Sequence, residues 1–329
     1  MESVSIPIPP IELRRRVGPT DPETFDNPAG HVVFPKIPIE LYEAVFDFGC
    51  GCGRVARQLL QQTPRPRRYV GIDVHRGMLD WCTENLSPID PSFQFFHHDV
   101  YSPTYAPGNS YRLAERFPVK DEEFSLVVAA SVFTHLVEQQ AEYYLHEVAR
   151  ILRPQGIAFT SWFFFDKDSF PFLRPGPHCL YVSDIDPTQA VIFDRRWFID
   201  TVRRSGLCVR LTDPPSVAGH QWQVLLEKRT ATAVDQFPLG EDGAEWLCGA
   251  TRKPRAQPRI SQADRERWNI EDDVSSVESE SEVPAAAPLP PVLLGPIAEL
   301  AAIKRSWPWR SARAINKALG VIKGALSRD

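Results

Sequence analysis

Residues 45–59 read VFDFGCGCGRVARQL, a short apolar run that breaks into a glycine-spaced turn and then into a helical pattern. Val45, Phe46 and Phe48 suit a buried strand. Gly49, Gly51 and Gly53 remove every second Cβ where the chain must turn sharply, and let a ligand approach its backbone. Val55, Leu59 and Leu60 then recur at helical spacing. A strand, a glycine turn and a helix whose free N–H groups face the turn predict the nucleotide-type cradle of a doubly wound, Rossmann-like α/β sheet. The ligand then lies at the strand's carboxyl end.

The glycine spacing narrows the ligand. A dinucleotide fingerprint places its third glycine five residues after the first, and Arg54 holds that place. Tyr69 to Val74 (YVGIDV) reads as a second strand and brings Asp73, a carboxylate placed to accept both hydroxyls of a ribose. DFGCGCG followed by GID resembles the class I S-adenosylmethionine (SAM) dependent methyltransferases. On the glycines alone, a nicotinamide-type site stands as the alternative.

Downstream runs extend the resemblance. Phe124 to Ala130 (FSLVVAA) reads as a fully buried strand and runs into SVFTHL, residues 131–136. That run, the helix Glu138 to Leu152 ending in LRPQG, and the strand Ile157 to Phe165 are similar, in order, to the later motifs of the same enzymes. Two departures are Gln155, where a glycine is usual, and a heavily aromatic loop after the third strand. The resemblance spans about Pro9 to Arg229 and implies a seven-stranded sheet with an antiparallel last strand, completed by Leu207–Leu211 and Gln223–Glu227.

It also implies SAM as the cofactor and a set of residues around it. Asp47 would hold the amino end, directly or through water. The backbone at Gly49, Cys50, Gly51 and Gly53 would pass close to it, and Asp73 with Val74 would hold the ribose. Asp99 or the Val100 backbone would read the adenine amino group, and Ser131 would complete the lining. No metal is needed. His97 and His98 alternate across a strand and have no third ligand at suitable spacing, so they read as surface or loop histidines rather than a metal pair.

An alcohol acceptor has a proton to lose as the methyl moves. His135, just past the fourth strand, is the leading base, with a structural histidine at a helix start as its rival reading. Asp166, beyond the fifth strand, is the second candidate, and an N-cap or turn carboxylate is its rival. Enzymes that methylate base amines or protein glutamine carry an Asn-Pro-Pro-Tyr or Asp-Pro-Pro-Tyr run where this chain has Ala-Ala-Ser-Val, residues 129–132. A sugar or small-metabolite hydroxyl is therefore favoured, and Tyr101, Tyr105 and Tyr111 are placed to stack on sugar faces or simply to pack their loop.

With 329 residues, the chain holds one α/β domain of ordinary size and a long remainder. Its 37 basic against 42 acidic residues leave a net charge of −5 and no global field that would draw it to nucleic acid. Six scattered cysteines, two of them inside the glycine turn, read as reduced thiols, and no run approaches the length of a membrane span. A cytoplasmic protein is expected, free or peripheral to the inner face of a membrane.

Four segments follow. Residues 1–40 are proline-rich with Arg14, Arg15 and Arg16, and read as a solvated helix start or as a lid over the cofactor mouth. Residues 41–229 form the methyltransferase-like domain, and 230–296 read as a disordered acidic linker rich in proline and serine. Residues 297–329 set Ile315, Leu319, Ile322 and Leu326 on one face of a basic amphipathic helix, with Trp307 and Trp309 before it. Such a tail suits an anionic membrane surface or a protein partner. RSWPWR followed by a basic helix is similar to tails of bacterial glycan-assembly enzymes. Methyl transfer to a bacterial surface-glycan precursor is the resulting expectation, with a soluble secondary metabolite, or a SAM-binding scaffold without turnover, as the rivals.

Overall fold

The computed structural model describes residues 6–18, 20–167, 178–183, 186–215 and 220–237. The tail at 297–329, and the expected linker beyond residue 237, lie outside the described residues.

Strand β1 (Ala44–Phe48) is buried along its whole length, as a central parallel strand covered on both faces must be. It pairs with β2 (Arg68–Asp73) on one side and β4 (Phe124–Ala129) on the other, both parallel. β3 (Phe93–His97) lies outside β2, and β5 (Leu152–Phe165) lies outside β4. β9 (Trp222–Lys228) then pairs antiparallel with β5, and β8 (Leu207–Asp213) antiparallel with β9. The path β3-β2-β1-β4-β5-β9-β8 is the expected seven-stranded α/β sheet, with β9, the last strand among the described residues, as its antiparallel member.

Helices α1 (Ile11–Arg14), α2 (Arg54–Gln61), α3 (Arg76–Asn85), α4 (Glu138–Ile151) and α5 (Arg195–Arg204) occupy the connections. α2 buries Val55, Leu59 and Leu60, the apolar positions whose spacing marked it as a helix, together with Ala56. α5 starts on Asp194, whose carboxylate accepts the Trp197 N–H at 3.3 Å, and gives way to Gly206 at φ +84. One apolar cluster fills the side of α4 and α5, and a second fills the side of α2 and α3.

Two strands exceed the expected sheet. β6 (Cys179–Tyr181) and β7 (Val191–Asp194) form a hairpin, and β7 runs parallel to the last three residues of β5. β5 is long enough to hold β9 along its first part and this hairpin at its end. The strand order reverses between β1 and β4, so the ligand crevice opens at their carboxyl ends. No helix among the described residues is long and apolar enough to cross a membrane.

Candidate functional site

A cavity of about 510 Å³ opens at that reversal point. Gly49 has φ +75 and Gly51 φ +55, the left-handed region that side chains rarely adopt. Protein atoms fill the space beside both: a Cβ at Gly49 would meet Val132 Cγ2 at 2.4 Å, and one at Gly51 would meet Val17 Cγ1 at 2.6 Å. Gly53 does not line the cavity; its bare face receives Leu86 and Cys82 near the end of α3.

The turn spends its own donors. Gly49 and Cys50 N–H both donate to the Ile72 carbonyl, at 2.8 and 3.0 Å, and Gly51 N–H donates to Asp73 Oδ2 at 2.8 Å. The His75 N–H donates to Asp73 Oδ1, also at 2.8 Å. A pyrophosphate seeks free N–H groups at such a turn and would here meet two carboxylates, Asp47 and Asp73. A cationic ligand with a ribose meets the opposite situation.

Asp47 is 2% exposed and accepts the Tyr69 hydroxyl at 2.6 Å. Burial pushes its carboxyl up to about 7, against the Tyr69 hydrogen bond and the nearby Arg54 charge, which lower it. Asp73 is also raised by burial, although the His75 and Gly51 N–H groups hold it down in part. Arg15, Arg16 and Arg54 bring positive charge to the cavity lining and suit a ligand carboxylate. The two arginines of the N-terminal segment are held there by Arg57, buried on α2. Arg57 donates to the carbonyls of Ile6, Pro7 and Phe25 and pairs with Asp26 at 2.5 Å. The lining thus fits SAM: carboxylates for its ammonium and ribose hydroxyls, a guanidinium group for its carboxylate, and no pyrophosphate cradle.

Among the other expected site residues, Cys50, Val74, Val100 and Ser131 also line the cavity. Ser131 has φ 60; its N–H donates to Ser161 Oγ at 2.7 Å and its hydroxyl reaches Gln221 Oε1 at 2.9 Å. Asp99 is exposed, lies outside the lining, and accepts the Ser110 N–H at 3.2 Å. Val100 is buried, and its N–H donates to the His98 carbonyl at 2.9 Å.

The two candidate bases part company. His135 faces the cavity. Its Nδ1 lies 2.8 Å from the Thr188 carbonyl, which can only accept, so Nδ1 carries the proton and Nε2 is left unprotonated, with the Tyr105 hydroxyl 3.4 Å away. Burial lowers its basicity against the Thr188 and Gln189 carbonyls, which raise it, and keeps the ring neutral. Asp166 does not line the cavity; it lies beyond the end of β5 in an ion pair with buried Arg195 at 3.0 Å.

Sequence reasoning missed His98. It follows the end of β3 in the loop, as expected, but is 3% exposed rather than at the surface, with Nε2 2.7 Å from the Tyr144 hydroxyl, and burial holds it neutral with a pKa of about 4. His97, the last residue of β3, is half-buried, and His98, the first residue of the loop that follows, turns inward. No cluster of metal-ligating side chains occurs among the described residues, and Cys50, Cys52, Cys82 and Cys208 are buried free thiols.

Residues 45–156 match the family described as a methyltransferase domain, roughly a third of the chain. Among solved structures, the chain is similar to the 1,6-didemethyltoxoflavin-N1-methyltransferase of Burkholderia thailandensis, determined with its substrate and S-adenosylhomocysteine. The identity is 17% over 57% of this chain and 71% of that one, with a TM-score of 0.42. NcsB1, an O-methyltransferase from neocarzinostatin biosynthesis in complex with SAM and 2-hydroxy-5-methyl naphthoic acid, gives 12% identity, 59% and 51% coverage, and a TM-score of 0.41. The PH0226 protein of Pyrococcus horikoshii OT3 gives 16% identity, 56% and 82% coverage, and 0.39.

Proposed function

From a methyltransferase domain at residues 45–156 whose cofactor is S-adenosylmethionine, we propose that the chain methylates a hydroxyl oxygen of a sugar or other small molecule, a bacterial surface-glycan precursor being the acceptor class. The observation that carries the oxygen reading is His135, an imidazole in the cavity wall whose Nδ1 is committed to the Thr188 carbonyl, leaving Nε2 unprotonated. Such a nitrogen can take the proton that an attacking hydroxyl must lose.

Bound SAM supplies a methyl group already activated on a sulfonium. Asp47 would pair with its ammonium, Asp73 with its ribose hydroxyls, and Arg15, Arg16 or Arg54 with its carboxylate. The Val17 side chain, closing over Gly51, would help exclude water from that end. His135 then receives the acceptor's proton at Nε2. Tyr105 and Thr188 contact His135, and Tyr101, Ser102, Leu136 and Gln140 line the same cavity, so ring faces and hydroxyls are on offer to an acceptor. Such groups suit a hydroxylated ring as the acceptor.

The test is label transfer from methyl-labelled SAM into extracted glycan precursors and into a panel of phenols and free sugars. The expected product is a methyl ether formed by the wild-type chain, with turnover lost about 100-fold or more in His135→Gln while SAM affinity is kept. Label appearing on nitrogen, or undiminished turnover in His135→Gln, would refute the oxygen reading. The tail reading adds a proposed anchor: the full chain is expected to sediment with vesicles containing anionic lipid, and the chain lacking residues 297–329 to stay in solution.

A further inference from the structure

The setting of His135 comes from two segments that are not part of the seven-strand sheet. Its Nδ1 partner, the Thr188 carbonyl, lies in the turn Pro187–Gln189 between β6 and β7. Asp186 holds that turn: its Oδ1 accepts the Thr188 N–H at 3.0 Å and the Thr188 hydroxyl at 2.6 Å. The other oxygen, Oδ2, accepts the hydroxyl of Thr104 from the loop after β3. Beside Thr104, Tyr105 sets its hydroxyl 3.4 Å from His135 Nε2, with its ring edge-on to the imidazole at 5.3 Å between centroids. One carboxylate therefore ties together the segment that holds Nδ1 and the segment that covers Nε2.

We propose that Asp186 is a positioning residue for His135: through Thr188 it fixes the imidazole with Nε2 bare, and through Thr104 it holds Tyr105 over that nitrogen. The proposal deepens the reading of His135 as the base and rests on it. A carboxylate that accepts three hydrogen bonds from two chain segments pins both where a neutral side chain would leave at least one donor unpaired. Asp186 does not line the cavity, so it acts through its neighbours. Asp186 and Tyr105 are the titratable groups that these two segments bring toward the imidazole.

Long-range proton–nitrogen spectra of histidine-labelled protein test this without an identified acceptor, with the His135 signals assigned from His135→Gln. The wild-type ring is expected to show one tautomer, protonated at Nδ1. Asp186→Ala is expected to give averaged nitrogen shifts from mixed tautomers. Asp186→Asn, which keeps one acceptor oxygen, should retain most of the Nδ1–H signature but titrate at a lower pH, because the nearby negative charge is gone. Thr104→Val offers a milder variant that releases only the Tyr105 segment, and should move the Nε2 shift alone. With an acceptor in hand, Asp186→Ala should lower kcat about 10- to 100-fold at unchanged KM for SAM. SAM calorimetry on each variant reports whether the domain is folded and whether the cofactor reading holds, independently of the tautomer. A His135 ring that keeps one tautomer and one titration curve in all three variants, while SAM binds normally, would overturn the proposal. Normal turnover in His135→Gln would instead overturn the reading beneath it.

Discussion

Replacing Asp47 with Asn should strengthen the fold and weaken cofactor binding in the same molecule. Asp47 sits next to the carboxyl end of β1 with its side chain buried, and among the described residues its hydrogen-bond donor is Tyr69. Its carboxyl, ordinarily near 3.8, is pushed by burial to about 7 in the folded chain. Between those two values the unfolded carboxyl has lost its proton and the folded one has kept it. Unfolding therefore releases a proton, and rising pH favours it. Above about 7 both states are ionised and the full penalty is in place, about 4 kcal/mol at roughly 1.4 kcal/mol per pH unit, an upper limit for a buried group. An amide removes the charge but keeps an oxygen for Tyr69, and leaves its own N–H groups to be satisfied. A net gain of about 1–3 kcal/mol at pH 8 is expected. At about 2–4 °C per kcal/mol for a domain of this size, that is a rise of several degrees in Tm. The gap between variant and wild type should shrink as pH falls toward 4. Calorimetry on the same two proteins should show SAM bound about 10- to 100-fold more weakly by the variant at pH 8. A variant that melts lower than wild type at pH 8, a gap that ignores pH, or unchanged SAM affinity would refute the assignment of Asp47 as a charge kept for a ligand at the expense of the fold.

Wild-type SAM affinity should itself depend on pH, falling about tenfold per unit below about 7 as Asp47 gains its proton, and levelling off above; isothermal titration across pH 5–9 reads this directly. Gly49→Ala should destabilise the domain by about 2–4 kcal/mol, from the left-handed φ of +75 and the 2.4 Å approach to Val132, and adding Val132→Ala should recover the contact part but not the backbone part in urea unfolding. Arg57→Met should cost about 2–4 kcal/mol, because three carbonyls and Asp26 lose their partner, and limited proteolysis should then cut within residues 6–26 before the sheet is attacked.

The glycine turn was legible because its signal is local. A buried strand, three close glycines and an apolar helix face lie within fifteen consecutive residues, and the sheet order follows once β1 is placed at the centre. The carboxyl ends of β1, β2 and β4 then carry their side chains to one rim, which is why Asp47, Asp73 and His135 meet at a common cavity. The same reasoning misplaced Asp166. β5 ends at Phe165 as expected but continues beyond Thr160, its last partner on β4, so the residue just after it is carried past the cavity, where α5 offers Arg195 as a partner. The β6–β7 hairpin left no comparable mark: its strands are three and four residues long, and they are stable only because the overlong β5 offers an edge. Asp186 and Thr188 consequently read as turn residues, DPTQ, and nothing within reach of a local pattern links them to a histidine 53 positions earlier. The residues proposed to hold the cofactor lie on or beside the elements that make the fold, so a local pattern betrays them. Residues that set the proposed base lie on an addition to the fold, and only the packing of β7 against the end of β5 brings them within hydrogen-bonding distance of it. A chain with this sheet but without that hairpin would keep the SAM site and lose the neutral, single-tautomer imidazole, which is why acceptor chemistry in this fold has to be argued from the additions rather than from the core.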